Sequence, residues 1–340
     1  MIAPAWLSKK LGDSKVLCLA CAHACKLSPG EFGRCGVRVN RDGELKLTVH
    51  SLAAAAHIDP IEKKPLFHFL PGSLVFSIGT VGCNLCCSFC QNWEISQHPQ
   101  NNGFEVFGYE MPPEKVVDLA LQNGCKSIAY TYNEPVVFFE YTYDTAKLAR
   151  KNGLKNVYVT SGFETKKAID ELSDLIDAMN IDIKFFKDQS YKDISCARLK
   201  PVLDCVEYSY EKGIWIEITT LIIPGINDSD EELRDIAEFI ASIDKNIPWH
   251  VSRFHPDYKM LDRPPTPPQT LKRAYKIAKE AGLNYIYIGN YPDADLESTY
   301  CPECGFKVIE RDGYVGERVT NRLKEGKCPK CGSSIAGVWR

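Results

Sequence analysis

Fifteen cysteines in a chain of 340 residues constrain this protein more than any other feature, because all but Cys125, Cys196 and Cys205 fall into three tight groups. The groups are Cys18, Cys21, Cys25 and Cys35; Cys83, Cys86, Cys87 and Cys90; and Cys301, Cys304, Cys328 and Cys331. The N-terminal stretch MIAPAWLSKKLGDSKVL has neither the continuous apolar core nor the small-residue cleavage site of a secretory signal, so the chain reads as cytoplasmic. Thiols are kept reduced there, so the clusters are expected to serve metal or redox chemistry rather than disulfides. The three isolated cysteines read as small buried hydrophobes.

With 44% hydrophobic residues the chain can bury a large core. A formal charge of −3 from 41 basic and 44 acidic residues gives no footprint for nucleic acid or an anionic membrane. The run between Lys64 and Glu94 carries no charged side chain, yet Pro71, Gly72, Gly79 and Gly82 interrupt it. It reads as a buried strand and loop rather than a membrane span.

The cysteine groups suggest a metal-binding extension over 1–60, a core over 61–290 and a small ribbon-like tail over 291–340. In the core, apolar runs at 73–79, 126–132, 155–160, 179–186, 214–223, 249–254 and 284–289 alternate with helical periods near 113–122, 135–152, 165–177, 197–211, 229–244 and 268–282. Ser229 and Glu232 form a capping-box pattern at one helix start. The alternation predicts an α/β fold, a partial (β/α)6 TIM-like barrel with its chemistry at the C-terminal ends of the strands.

Directly after the first run, Cys83, Cys87 and Cys90 form C-x3-C-x2-C. Three thiolates can hold three irons of a [4Fe–4S] cluster that normally takes four, which leaves one iron open to a small molecule. The competing reading adds Cys86 and closes a tetrahedral zinc site. The motif, with aromatic Phe89 before its last cysteine, resembles the signature of the radical S-adenosylmethionine (radical SAM) superfamily. That resemblance implies an oxygen-sensitive enzyme whose reduced cluster, fed by flavodoxin or ferredoxin, cleaves S-adenosylmethionine to a 5′-deoxyadenosyl radical that abstracts hydrogen from substrate. Whether the cosubstrate is consumed or regenerated stays open.

Polar residues at later strand ends are candidates for holding the cosubstrate. Thr131, Asn133 and Glu134 lie in YTYNEP, where the family has a Gly-Gly-Glu-Pro-like loop; Ser161 and Gly162 end the third run. Asp182 and Lys184 match an Asp-x-Lys of glycyl-radical activating enzymes, with an internal salt bridge as the plainer account. His255 matches a histidine placed near the adenosyl group, whereas His250 reads more simply as a structural residue.

DPIEKKPLFHFLPGS, GCNLCCSFCQNWEIS, AYTYNEP, FHPDYKM and the knuckles CPECG and CPKCG extend the resemblance over most of the chain. Together they are similar to the radical enzyme of the AmmeMemoRadiSam group, related to pyruvate formate-lyase activating enzyme, and imply Memo-like and AMMECR-like protein partners. The substrate stays open between a protein, a small metabolite and a modified RNA base, the last disfavoured by the charge balance. A non-catalytic multi-metal module is the reading from a different class. The two C-terminal C-x2-C knuckles, Cys301 with Cys304 and Cys328 with Cys331, suit structural zinc. Cys18, Cys21, Cys25 and Cys35 form C-x2-C-x3-C-x9-C, open between zinc, a second cluster and separate thiols, with His23 as a surface residue or a replacement ligand.

Overall fold

Each of the seven apolar runs becomes a strand in the computed structural model, which describes residues 2–312 and 318–340. Strands β1 (Ala55–Pro60), β2 (Leu74–Gly79), β3 (Ser127–Tyr130), β4 (Lys155–Thr160), β5 (Ala178–Asp182), β6 (Trp215–Ile222), β7 (Trp249–Arg253) and β8 (Ile286–Gly289) form one sheet in sequential order. Strands β2 to β8 are parallel, each paired with the next. Strand β1 is antiparallel to β2 at one edge.

Two sequence expectations change here. The sheet has seven parallel strands, one more than six β/α units contribute. It also begins before residue 61, because Ala55–Pro60 pairs along the whole of β2. Ile58 is the one large apolar residue of AAHIDP, so a hydrophobicity reading passes over that strand.

Helices α1 (Pro113–Gln122), α2 (Phe139–Lys151), α3 (Lys166–Leu172), α4 (Asp188–Ser195), α5 (Leu199–Glu211), α6 (Asp230–Ile243) and α7 (Pro268–Glu280) supply the crossovers. Parallel strands covered on both faces need apolar residues at nearly every position, and Ser127–Tyr130 is buried throughout. At α6 only half of the capping box forms. Ser229 Oγ accepts from the Glu232 amide at 3.2 Å, whereas the Glu232 carboxylate accepts from Phe186 N at 2.8 Å and so pins the segment after β5.

Two small three-stranded sheets make up the N-terminal region, Ala3–Pro4 with Glu44–Leu47 and Arg38–Arg41, and Ser8–Lys10 with Val16–Cys18 and Lys26–Leu27. A buried pair ties them to the core: Arg38 Nη2 lies 2.6 Å from Glu140 Oε2 on α2.

The C-terminal tail carries its own three-stranded sheet and a second apolar cluster, in which Val308 and Ile309 pack with Phe67, Tyr285 and Tyr287. It docks through a buried chain of hydrogen bonds. Arg311 Nη1 donates to Thr299 Oγ1 at 2.9 Å, Thr299 Oγ1 meets Tyr287 Oη at 2.8 Å, and Tyr287 Oη meets His68 Nε2 at 2.6 Å. His68 Nδ1 donates to the Ala336 carbonyl at 2.6 Å, which leaves Nε2 of a neutral ring as the acceptor. Burial lowers His68 to about 4, against the opposing pull of Glu217. The unfolded ring titrates near 6.5, so docking is complete above that value and weakens as pH falls toward 4. Limited proteolysis across this range should show tail release on acidification, and His68→Gln should remove most of the dependence.

Candidate active site

The loop after β2 carries the central cysteines, and neighbours on three sides position its sulfurs. Cys83 Sγ accepts from Leu85 N at 3.4 Å, Cys87 Sγ lies 3.2 Å from Ser195 Oγ, and Cys90 Sγ lies 3.3 Å from Ser96 Oγ. The Leu85 amide is a donor aimed at sulfur, which stabilises a thiolate as a metal-bound cysteine requires, whereas the Cys87 thiol donates to Ser195 Oγ. Burial pushes the Cys87 thiol up to about 11, with the Lys184 ammonium opposing. Gly79 allows the next strand's loop to close in: a Cβ there would lie 2.5 Å from the Thr131 carbonyl oxygen.

Helix α4 was not foreseen, and it braces this loop. Ser195 O accepts from Cys86 N at 3.2 Å and Ile194 O from Ser88 N at 3.1 Å. Cys86 and Cys196 form a disulfide with their Cα atoms 5.5 Å apart, contrary to the expectation that no cysteine pairs covalently and that Cys196 is an isolated packed thiol. The bond occupies the Cys86 sulfur and leaves Cys83, Cys87 and Cys90 as the unpaired thiols of the loop. The spacing within residues 83–90 gives no hint of a partner more than a hundred positions away.

The other predicted residues gather at the same end of the sheet. Asn133 holds the cysteine loop, with Nδ2 donating to the Gly82 carbonyl at 2.6 Å and to Thr80 Oγ1 at 3.1 Å. Thr131 is buried beside it. Lys184 Nζ lies 2.6 Å from Asp182 Oδ2 and 6.0 Å from the Phe89 ring centroid. Burial would lower this ammonium, but Asp182 and Cys87 outweigh it and raise its pKa, so the lysine stays charged. The salt-bridge account of this pair therefore holds, and the pair still faces the loop. His255, exposed, meets Gln91 Nε2 through its own Nε2 at 2.9 Å, next to Cys90. His250 is structural: its Nε2 is 2.7 Å from buried Glu217 Oε2.

Glu134 is buried and engaged with β4. Its Oε2 accepts from Ser161 N at 2.8 Å, so that amide orients the carboxylate, and Gly162 N donates to Thr160 Oγ1 at 3.0 Å. Thr160 Oγ1 lies 2.7 Å from Glu134 Oε1 and 2.5 Å from Glu164 Oε1. A hydroxyl has one proton to give, so one of these carboxyls is protonated and donates to the threonine. Burial first, and Glu164 second, raise the Glu134 pKa; burial raises Glu164 as well. Glu164 was missed because it lies beyond the strand end, among residues that read as a loop. The native pair holds a proton that unfolded carboxyls release, so stability should fall as pH rises above the ordinary carboxylate range. Glu164→Gln should flatten that part of a Tm–pH profile.

The C-terminal four cysteines form a different geometry. Cys301 and Cys331 sulfurs are 3.6 Å apart, Cys304 and Cys328 sulfurs 3.7 Å, and all four lie within 4.8 Å of one another. A single ion bound at about 2.3 Å by tetrahedral thiolates separates them by roughly 3.8 Å, so the set can hold one metal ion.

A family model for the Radical SAM superfamily matches residues 77–240, which span the cysteine loop, β2 to β6 and the Glu134 region. A relative in Methanocaldococcus jannaschii, an uncharacterized protein, is 44% identical over 328 residues, covering 96% of this chain and 97% of its own. The chain belongs to the radical SAM superfamily. The pyruvate formate-lyase 1-activating enzyme of Escherichia coli is 22% identical over 223 residues, 61% of this chain and 89% of its own. The solved structure of Streptococcus suis SuiB bound to S-adenosylmethionine shares the fold at a TM-score of 0.51 with 15% identity, over 68% of this chain and 53% of that one. This chain is thus a radical SAM enzyme similar to activating enzymes. Among the described residues, no helix is long and apolar enough to cross a membrane.

Proposed function

We propose that Cys83, Cys87 and Cys90 hold a [4Fe–4S] cluster that cleaves S-adenosylmethionine and so starts hydrogen abstraction from a protein or small-molecule substrate. The observation that carries this reading is the trio of unpaired thiols on the loop after β2, each beside a polar hydrogen-bonding group, on a loop that faces the Asp182–Lys184 pair. The bound cluster supplies one electron to the sulfonium of the cosubstrate.

The chain's own residues bind and orient. Glu134 presents a carboxylate to the ammonium of the amino acid moiety, and Thr131 and Asn133 fix the loop that carries it. An ammonium at Glu134 favours the ionised form of the Glu134–Glu164 pair, so cosubstrate binding releases the carboxyl proton of that pair to solvent. Lys184 keeps a positive charge opposite Cys87, and Ser161, Gly162 and His255 border the space for the ribose and adenine. The metal of the C-terminal site is zinc, since a closed set of four thiolates at these separations suits it. A flavodoxin or ferredoxin supplies the electron. Memo-like and AMMECR-like proteins are the partners that the sequence resemblance favours.

The test is anaerobic reconstitution with iron and sulfide, reduction, and measurement of 5′-deoxyadenosine and methionine formed from S-adenosylmethionine. Formation of both supports the proposal. A reduced cubane that never yields them favours a metal-binding module without catalysis.

A further inference from the structure

We infer that Cys18, Cys21, Cys25 and Cys35 bind a second iron–sulfur cluster, lodged against the wall of the first, rather than a zinc ion. All four line a single cavity between the N-terminal region and the 3-10 turn Pro135–Phe138 that precedes α2, together with Arg38 and Asn84. Three local features aim them inward. Cys18 N donates to the Cys25 carbonyl at 2.9 Å, which closes the turn that carries Cys21. Gly33 N donates to the Arg38 carbonyl at 2.7 Å, which closes the turn that carries Cys35. The third is the place of Gly33 beside two of the sulfurs: its Cβ position stands in ordinary van der Waals contact with Cys35 Sγ at 3.7 Å and Cys25 Sγ at 3.8 Å.

The spacing separates a cluster from a lone ion. Among the described residues, the sulfurs of Cys301, Cys304, Cys328 and Cys331 form a set drawn to within 4.8 Å of one another. Neither the N-terminal four, which share a cavity, nor the central trio forms a set drawn together in that way. One tetrahedral ion needs its thiolates about 3.8 Å apart. In a cubane each thiolate binds a different iron, so the sulfurs stand further apart around a larger body. The charge environment agrees: the buried Arg38 guanidinium lines the cavity, held by Glu140, and lies where a thiolate-ligated cluster places negative charge.

The cavity also shares a wall with the central loop. His23 Nε2 donates to the Asn84 carbonyl at 2.8 Å, so His23 ties the two loops together and does not replace a thiolate. Gln100 Nε2 donates to Arg34 O at 2.9 Å and to Cys83 O at 3.0 Å. A Cβ on Gly82 would lie 2.6 Å from the Cys35 carbonyl oxygen, so only glycine lets the two backbones pack this closely. Contact of this kind brings the two cluster sites within reach of magnetic coupling.

The experiment compares wild-type protein with the triple variant Cys83→Ala/Cys87→Ala/Cys90→Ala, both reconstituted anaerobically with iron and sulfide in the presence of zinc. Iron and acid-labile sulfide are counted, with Mössbauer and EPR spectra of the reduced proteins. The inference expects about eight sulfide-linked irons in the wild type and about four in the triple variant, as a cubane. It also expects broadening from spin coupling in the wild type alone. Adding Cys18→Ala and Cys35→Ala to the triple variant should remove the remaining cluster. About four irons in the wild type, with the triple variant taking up zinc but no sulfide, would overturn it. Should the triple variant fail to fold, Cys18→Ala/Cys35→Ala in the otherwise wild-type chain decides the matter: a fall from about eight irons to about four supports the inference, and an unchanged count overturns it. About four irons in both the wild type and the triple variant would instead count against the central cluster, so the two readings fail separately.

Discussion

Cys87→Ala should reduce 5′-deoxyadenosine formation by at least about a thousandfold. Loss of one of three thiolates costs a cubane most of its anchorage, and without the cluster the sulfonium has no electron source. The effect on folding should be small by comparison, because the loop stays braced by the backbone bonds from Cys86 N to Ser195 O and Ser88 N to Ile194 O. Cys86→Ala provides the contrast. It removes the bond to Cys196 but no proposed ligand, so iron content and cleavage should persist, with loss confined to thermal stability. The opposite pattern, iron lost in Cys86→Ala and kept in Cys87→Ala, would contradict the assignment of ligands.

The second large effect is expected in the tail. Cys328→Ser should abolish metal binding at the C-terminal site and release residues 299–335 to proteolysis. Thiolate–metal coordination contributes on the order of 10 kcal/mol to the folding of small metal-ligated units, and the tail's own apolar cluster is small. Release would expose the core as well. Val338 N donates to His68 O at 2.7 Å and Leu70 N to Val338 O at 2.8 Å, so the end of the chain pairs with the segment leading into β2. Arg311, buried to 1% exposure, would lose its bonds to Phe67 O and Thr299 Oγ1. Metal content by atomic emission and the protease digestion pattern check this result. An intact, undigested tail in the metal-free variant would show that the hydrogen-bond chain through Tyr287 and His68 suffices.

Much of the fold was legible because parallel strands buried on both faces write themselves as continuous apolar runs, and all seven appear where those runs lie. The antiparallel strand Ala55–Pro60 was not, since an edge strand with exposed His57 and Ile58 has no such run. In the site, C-x3-C-x2-C was readable as local spacing. The Cys86–Cys196 bond, the Ser195 contact to Cys87 and the Glu134–Glu164 pair were not, because each joins residues whose proximity comes only from β/α crossovers. Asp182 and Lys184 could be read either way from sequence. Their contact and their place opposite Phe89 make them at once an ion pair and a lining of the site.

Mössbauer spectroscopy of the anaerobic, 57Fe-reconstituted protein, with and without S-adenosylmethionine, tests the central claim most directly. If three cysteines leave one iron free for the cosubstrate, its addition should shift the parameters of one iron in that cluster and leave the other three unchanged. A spectrum unaltered by S-adenosylmethionine, or a central loop that carries zinc and no iron, would contradict the account.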